Sequence, residues 1–71
     1  MEVIDGRKKN CKGIIASLER SMLEIEAGGR VQVIMADVLN RVDVKAWASK
    51  KGHMIIDDRK EGDAYEMVIA K

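Results

Sequence analysis

The candidate for covalent chemistry in this chain is its single cysteine, Cys11. A cysteine reacts as its thiolate, and a helix N-terminus or neighbouring cations favour that anionic form. Cys11 opens a helical hydrophobic pattern, and four cations lie near it along the chain: Arg7, Lys8, Lys9 and Lys12. This setting predicts a thiol whose pKa is lowered and whose sulfur is reactive.

Two interpretations stay open for the cysteine and for the loop before it. Cys11 is either a reactive thiol or a small, half-buried apolar side chain of the kind that most lone cysteines supply. The basic loop is either a solvated turn or a docking patch for an acidic partner or a phosphate group. No aromatic residue lies between its cations, which argues against an RNA surface that stacks bases.

Composition excludes several classes of function. The chain has 71 residues, which predicts a single domain, 1–71, that buries only about 60% of its unfolded surface and holds no deep cleft. One cysteine permits neither an intrachain disulfide nor a cysteine-rich metal site. The 13 basic and 12 acidic residues nearly cancel, so we expect no general affinity for nucleic acid or membranes.

The location and cofactor content follow from similar arguments. No apolar run approaches the roughly 20 residues that span a bilayer, and the N-terminus lacks the pattern of a signal peptide. We therefore expect a cytoplasmic protein. No cofactor motif is present, so we expect neither a small-molecule cofactor nor a metal.

Six elements must position the cysteine. Asn10 is a candidate N-cap for the first helix, and Asp37 or Asn40 for the second. The hydrophobic pattern predicts, in chain order, a strand at 2–5, a helix from Cys11 to Gly28, a strand at 30–36, a helix ending at about Lys51, and strands at 53–59 and 64–70.

The second helix has two apolar stripes, where an amphipathic helix needs one. The first consists of Val44, Trp47 and Ala48, and the neighbouring one consists of Leu39, Val42 and Ala46. The strand at 30–36 is predicted to be central and to be buried on both faces for part of its length.

Right-handed crossovers place both helices on one face of the sheet. The last two strands are joined by a turn at 61–63, and this hairpin makes the sheet mixed. The expected fold is therefore an α/β protein of the α+β two-layer sandwich type, with the order β-α-β-α-β-β, a mixed four-stranded sheet and two helices on one face.

The order and spacing of several landmarks are typical of a known family. These are Asp5 at the end of the first strand, Cys11 at the helix start, the glycine corner at Gly28, Asp37 after a Val/Ile-rich strand, Asp43 with Trp47 one turn on, Gly52 and His53, and a last strand from Tyr65 to Lys71. In this arrangement the chain resembles the TusA/SirA-like sulfur-carrier proteins over nearly its full length.

The resemblance implies the same two-layer fold and a chemistry centred on the cysteine of a Cys-Pro-x-Pro motif. In that family the cysteine accepts sulfane sulfur as a persulfide from a desulfurase or another sulfurtransferase and passes it to an acceptor protein. By resemblance, Cys11 takes the carrier position. The sequence departs from the motif because Lys12 and Ile14 stand where proline is expected, and Gly13 adds backbone freedom to the first turn.

Two hypotheses of different classes follow. The first is a cytosolic sulfur carrier with Cys11 as the persulfide site, Arg7, Lys8, Lys9 and Lys12 as a docking and electrostatic surround, and a sulfur-donor and an acceptor protein as partners. Such a chain is a relay component rather than a stand-alone enzyme, since no general base accompanies the cysteine. The alternative is a non-catalytic protein-binding or regulatory module that kept the fold and lost the motif. A weaker third reading, an RNA-binding domain of the same topology, is disfavoured by the near-neutral charge.

Overall fold

Strands and helices alternate along the chain in the computed structural model, which describes residues 1–71. The elements are β1 (Glu2–Asp5), α1 (Cys11–Glu24), β2 (Arg30–Met35), α2 (Val38–Lys51), β3 (Met54–Glu61) and β4 (Ala64–Ala70). The predicted order β-α-β-α-β-β is confirmed. Neither helix is long and apolar enough to cross a membrane.

The four strands form one mixed sheet in the order β1-β2-β4-β3. β1 pairs with β2 in parallel, whereas β4 pairs antiparallel with both β2 and β3. Strands β1, β2 and β3 therefore point the same way, and the two helices that connect them return in the same direction. As a consequence, α1 and α2 both begin at one edge of the sheet, beyond the carboxyl ends of β1 and β2.

The core lies between the helices and one face of the sheet. The twelve buried apolar residues that form it are Ile4, Ile14, Leu18, Met22, Val31, Val33, Met35, Val44, Trp47, Ala48, Met67 and Ile69. The expectation that β2 is buried on both faces is wrong. Gln32 and Ile34, which point away from the helices, are only partly buried because no second layer covers that side.

Helix α2 is fixed at both ends and along one side. Asp37 caps it by accepting a hydrogen bond from the Leu39 amide at 2.8 Å, and Gly52 ends it in the left-handed region at φ 76°. On the side facing β3, Arg41 Nη2 lies 2.7 Å from Asp58 Oδ2, and Lys45 Nζ lies 3.3 Å from the same oxygen. These contacts set which face of α2 turns inward.

Only one of the two apolar stripes predicted on α2 enters the core. Val44, Trp47 and Ala48 are buried, as expected for the first stripe. Leu39 and Val42 of the second stripe keep 68% and 52% of their surface exposed, and Ala46 is also exposed. The helix lies on the outside of a two-layer fold, so no further element is present to cover this second stripe.

Candidate functional site

Helix α1 begins at Cys11 because Asn10 caps it. Asn10 has extended backbone angles, and its Oδ1 accepts a hydrogen bond from the Gly13 amide at 2.8 Å. Its carbonyl oxygen accepts the first helical hydrogen bond, from the Ile14 amide at 3.0 Å. The predicted cap is therefore confirmed, and the helix start is held by a side-chain hydrogen bond rather than by proline.

Gly13 fits this arrangement for a steric reason. A Cβ at position 13 would lie 3.3 Å from Asn10 Oδ1 and 3.5 Å from the Cβ of Lys9. The first contact is tighter than an ordinary van der Waals contact, so the absence of a side chain leaves room for the capping amide. The freedom that glycine adds to the first turn is thus offset locally by the cap.

The loop from β1 to Cys11 passes closely over β2 and α1. The Gly6 amide donates to the Ile34 carbonyl oxygen at 2.7 Å, and Gly6 is buried. A Cβ here would lie 2.8 Å from Ile14 Cγ1 and 3.0 Å from the Ile34 oxygen. The start of the loop is therefore fixed by contacts that only glycine permits.

Cys11 is half-buried and lies in an open groove of about 670 Å³ at the edge of the sheet where both helices begin. The groove is lined by residues from the loop, both helix starts and β4: Arg7, Lys9, Asn10, Cys11, Ala36, Asp37, Val38, Asn40 and Tyr65. The amide groups of two helix N-termini thus open toward one surface that carries the chain's single thiol.

The four predicted cations do not converge on the thiol. Arg7 is held by Asp5, with Nη2 2.7 Å from Oδ2 and Nε 2.9 Å from Oδ1, and this pairing lowers the pKa of Asp5 to about 2. Lys9 Nζ donates to Ser17 Oγ at 2.9 Å. Arg7 and Lys9 do line the groove, but their charged groups are engaged within the chain.

The other two cations, Lys8 and Lys12, are exposed and form no ion pair within the chain. Neither lines the groove. They flank Cys11 in sequence and leave their charge available to another molecule.

The charge that acts on Cys11 comes from α2. The neighbouring Asp43 carboxylate, followed by partial burial, raises the pKa of the Cys11 thiol. The prediction of a lowered thiol pKa is therefore wrong. The thiol pKa is raised because the two helices run in the same direction, which brings the early turns of α2 alongside Cys11. The cations of the loop bond elsewhere and do not offset this effect.

Several residues at the site were not assigned to it from the sequence. The sequence indicates Asp37 as a cap and a landmark, Asn40 as a cap, and Asp43 as a landmark. Two crossovers in the same sense bring both helix starts to one edge, so the topology was a usable signal for these three. Tyr65 is different, because it reaches the groove only through the pairing of β4 with β2, in which it lies opposite Met35.

This arrangement suits exchange between sulfur atoms better than conversion of an enclosed substrate. The groove is open and the thiol lies at its surface, so a second protein can bring its own sulfur to Cys11. Thiol exchange needs an attacking thiolate and a sulfur leaving group, with no cofactor. No three His, Cys, Asp or Glu side chains cluster closely enough to hold a metal ion.

Comparison with known proteins gives consistent matches over the whole chain. The model of a family described as "Sulfurtransferase TusA" matches residues 2–71. A "Putative sulfur carrier protein" from Archaeoglobus fulgidus is 30% identical over 71 residues, covering 100% of this chain and 97% of that protein. The "Putative sulfur carrier protein YrkI" from Bacillus subtilis is 29% identical over 70 residues, covering 99% of this chain and 93% of that protein.

A solved structure extends the comparison to the fold. The crystal structure of a SirA-like protein from Desulfitobacterium hafniense superposes with a TM-score of 0.87 at 24% identity, covering 99% of this chain and 96% of that one. This match confirms the α+β fold with a mixed four-stranded sheet. The family model and the two sequence relatives together support a sulfur-carrier role, which implies contact with sulfur-donor and sulfur-acceptor proteins.

Proposed function

The chain belongs to the TusA sulfurtransferase family, and on that premise we propose that Cys11 carries sulfane sulfur as a persulfide between two partner proteins. One observation carries the proposal. The single thiol of a chain that matches the family model from residue 2 to residue 71 lies half-exposed in an open groove at the start of α1.

The proposed loading step is a displacement at sulfur. The Cys11 thiolate attacks the terminal sulfur of a persulfide on the donor, forming a bond from Cys11 Sγ to that sulfur. The sulfur–sulfur bond of the donor breaks, and the donor cysteine leaves as a thiolate that takes up the proton lost by Cys11. No electron is gained or lost overall, so the step needs neither oxidant nor reductant. Delivery to the acceptor repeats the same exchange in the other direction.

The site residues contribute to this step in different ways. Lys8 and Lys12 supply free positive charge beside Cys11 that attracts an acidic partner surface, whereas Arg7 and Lys9 shape the groove while bonded within the chain. Asp43 raises the pKa of the Cys11 thiol and so lowers its thiolate fraction. The chain acts in this scheme as one cytoplasmic domain, 1–71, and its partners supply the catalysis.

Sulfur loading can be measured by intact mass. The protein is incubated with a purified cysteine desulfurase and L-cysteine, or separately with inorganic polysulfide, and the Cys11→Ser variant is the control. We expect a mass increase of one sulfur atom that dithiothreitol removes and that the variant does not show. If neither reagent produces this adduct on the wild-type protein, the carrier function is rejected.

A second candidate function is favoured by the missing motif prolines, since Lys12 and Ile14 stand at those positions, and the raised pKa of Cys11 agrees with it. In this alternative the domain is a non-catalytic binding or regulatory module, and Cys11 packs at the helix start without reacting. The two functions differ in the cell. A Cys11→Ser replacement has the phenotype of a gene deletion if the cysteine carries sulfur, and the phenotype of the wild type if the domain only binds.

A further inference from the structure

The outer face of α2 carries an apolar surface that the core does not use. Val38, Leu39 and Val42 keep 46%, 68% and 52% of their surface exposed, and exposed Ala46 continues the row. Positions 38 and 42, and 42 and 46, are four residues apart, so these side chains are neighbours on the helix. We call Val38, Leu39, Val42 and Ala46 the α2 patch.

The α2 patch is unusual for a helix on the surface of a two-layer fold, whose outward face is normally polar. The chain exposes eight large hydrophobic side chains, and three of them, Val38, Leu39 and Val42, fall within positions 38–42. Single exposed apolar residues need no explanation, but a contiguous group on one helix face indicates a surface that another molecule covers.

The patch is continuous with the groove that holds Cys11. Val38 belongs to both, since it lines the groove and also begins the row on α2. Asp43, which acts on the thiol, lies next to Val42 in the same helix. A molecule that covers Val38 and the groove around Cys11 therefore also reaches the first turns of α2, where the rest of the α2 patch begins.

We propose that the α2 patch is the docking surface for the sulfur-donor protein. This inference rests on the proposed function, because transfer of sulfur between two cysteines brings both sulfur atoms into bonding contact. A donor whose persulfide reaches Cys11 must cover the surrounding surface, and the patch extends the apolar part of the groove, which includes Ala36, Val38 and Tyr65. The fitting partner presents its persulfide beside an apolar contact area, with acidic side chains opposite Lys8 and Lys12.

Another exposed apolar side chain, that of Leu23, is too remote for this purpose. Leu23, 84% exposed, lies with Met22 and Trp47 in a depression toward the C-terminal ends of the helices. Leu23 lies twelve positions after Cys11 in α1, a distance of about 18 Å along the helix axis. Leu23 is thus a matched control, being an exposed helical leucine outside any surface that must be covered during transfer.

The test compares two sulfur sources on the same variants. Leu39→Gln and Val42→Gln remove apolar contact while keeping a good helix former at an exposed position, and Leu23→Gln is the control. Each protein is loaded either by a purified cysteine desulfurase with L-cysteine, well below saturation, or by inorganic polysulfide, and the rate is read from intact mass. We expect the ratio of desulfurase to polysulfide loading rates to fall about tenfold in the two α2 variants and to stay constant in the control.

The outcomes separate this inference from the proposed function. An unchanged ratio in both α2 variants overturns the docking surface, as does an equal fall in Leu23→Gln. Loading of the wild type by polysulfide but not by the desulfurase also overturns it, while leaving Cys11 as a sulfur carrier. Absence of loading by either source rejects the carrier function itself.

Discussion

Replacing Asn10 with alanine removes the side-chain acceptor that holds the first turn of α1. In the wild-type protein Asn10 Oδ1 accepts from the Gly13 amide at 2.8 Å, in an exposed part of the surface. Because glycine follows two residues after the cysteine, the backbone of this turn has little intrinsic helical preference. We expect the loss of the cap to destabilise the fold and to loosen the turn that carries Cys11.

The size of the effect follows from the geometry of the cap. A single side-chain cap of this kind is worth about 1 kcal/mol, within a range of roughly 0.5–2 kcal/mol. For a domain of this length, 1 kcal/mol corresponds to a shift in Tm of roughly 4–8 °C. Gly13 has the least favourable propensity of any non-proline residue in a helix, so we place Asn10→Ala at or above the middle of that range.

Thermal unfolding followed by circular dichroism at pH 7 measures this change. Asn10→Asp and Asn10→Ser keep an acceptor at the cap and should retain most of the stability, whereas Lys12→Ala removes an exposed side chain and should change little. If Asn10→Ala melts within about 1 °C of the wild type, the cap does not hold the helix start and our account of the missing prolines fails.

Three further predictions concern the thiol, acid stability and the loop. Asp43→Asn removes the negative charge that raises the pKa of Cys11, so alkylation by iodoacetamide at pH 7 should become faster and its pH profile should move to lower pH. Burial acts to raise the pKa of Asp58, but hydrogen bonds from two cations on α2 outweigh it and the pKa is lowered from 3.8. The ionised form of Asp58 therefore adds stability that is complete above pH 3.8 and is lost as the pH falls through the lower pKa of the folded state. Asp58→Asn should lower the free energy of unfolding by about 1–3 kcal/mol at pH 7. It should also weaken the fall of the urea-unfolding midpoint with decreasing pH, which we call the acid limb. Gly6→Ala places a Cβ 2.8 Å from Ile14 Cγ1 and should destabilise the protein by about 1–3 kcal/mol in the same urea titration.

The two carboxylate variants, Asp43→Asn and Asp58→Asn, each have a matched control on the exposed surface. Asp63→Asn removes a carboxylate far along the chain from Cys11, and it should leave the alkylation profile unchanged. Glu26→Gln removes a carboxylate that forms no ion pair, so it should leave the acid limb unchanged. Equal effects of Asp43→Asn and Asp63→Asn on alkylation would contradict the action of Asp43 on Cys11. An acid limb that stays steep in Asp58→Asn would contradict the ion pairs of Asp58 with α2. A Gly6→Ala protein as stable as the wild type would contradict the close contact between Gly6 and Ile14.

Local signals in the sequence were sufficient to predict the elements of the fold. Asn10 and Asp37 are strong N-cap residues, and Gly52 ends α2 with a positive φ, so three of the four helix boundaries follow from side-chain chemistry close in sequence. The end of α1 was predicted wrongly at Gly28, because the helix already ends at Glu24. The burial of β2 on one face only did not follow in this way. An apolar run such as Val31 to Met35 looks the same whether one or two layers cover it, and only the complete fold decides.

The site was less predictable because its electrostatics depend on pairing across elements. Lys9 and Arg7 are near Cys11 in sequence, yet one bonds to Ser17 and the other to Asp5. The group that shifts the thiol pKa lies 32 residues later in the chain, at Asp43. A count of nearby cations assumes that their charges point at the cysteine, and short-range hydrogen bonds are strong enough to redirect them.

The raised pKa of Cys11 is consistent with a carrier once the openness of the groove is considered. An exposed thiolate in an open groove would react with any oxidant or disulfide that reached it, because reactivity follows the thiolate fraction and access. Because Asp43 raises the pKa of the thiol, a smaller thiolate fraction is exposed to such reagents between transfers. Under the proposed function, a donor seated on the α2 patch holds its persulfide next to this weakly reactive thiol, so selectivity would come from docking rather than from an intrinsically activated sulfur. Asp43→Asn tests this trade-off directly: it should speed loading by polysulfide more than loading by the desulfurase, and an equal gain with both sources would show that Asp43 does not discriminate between them.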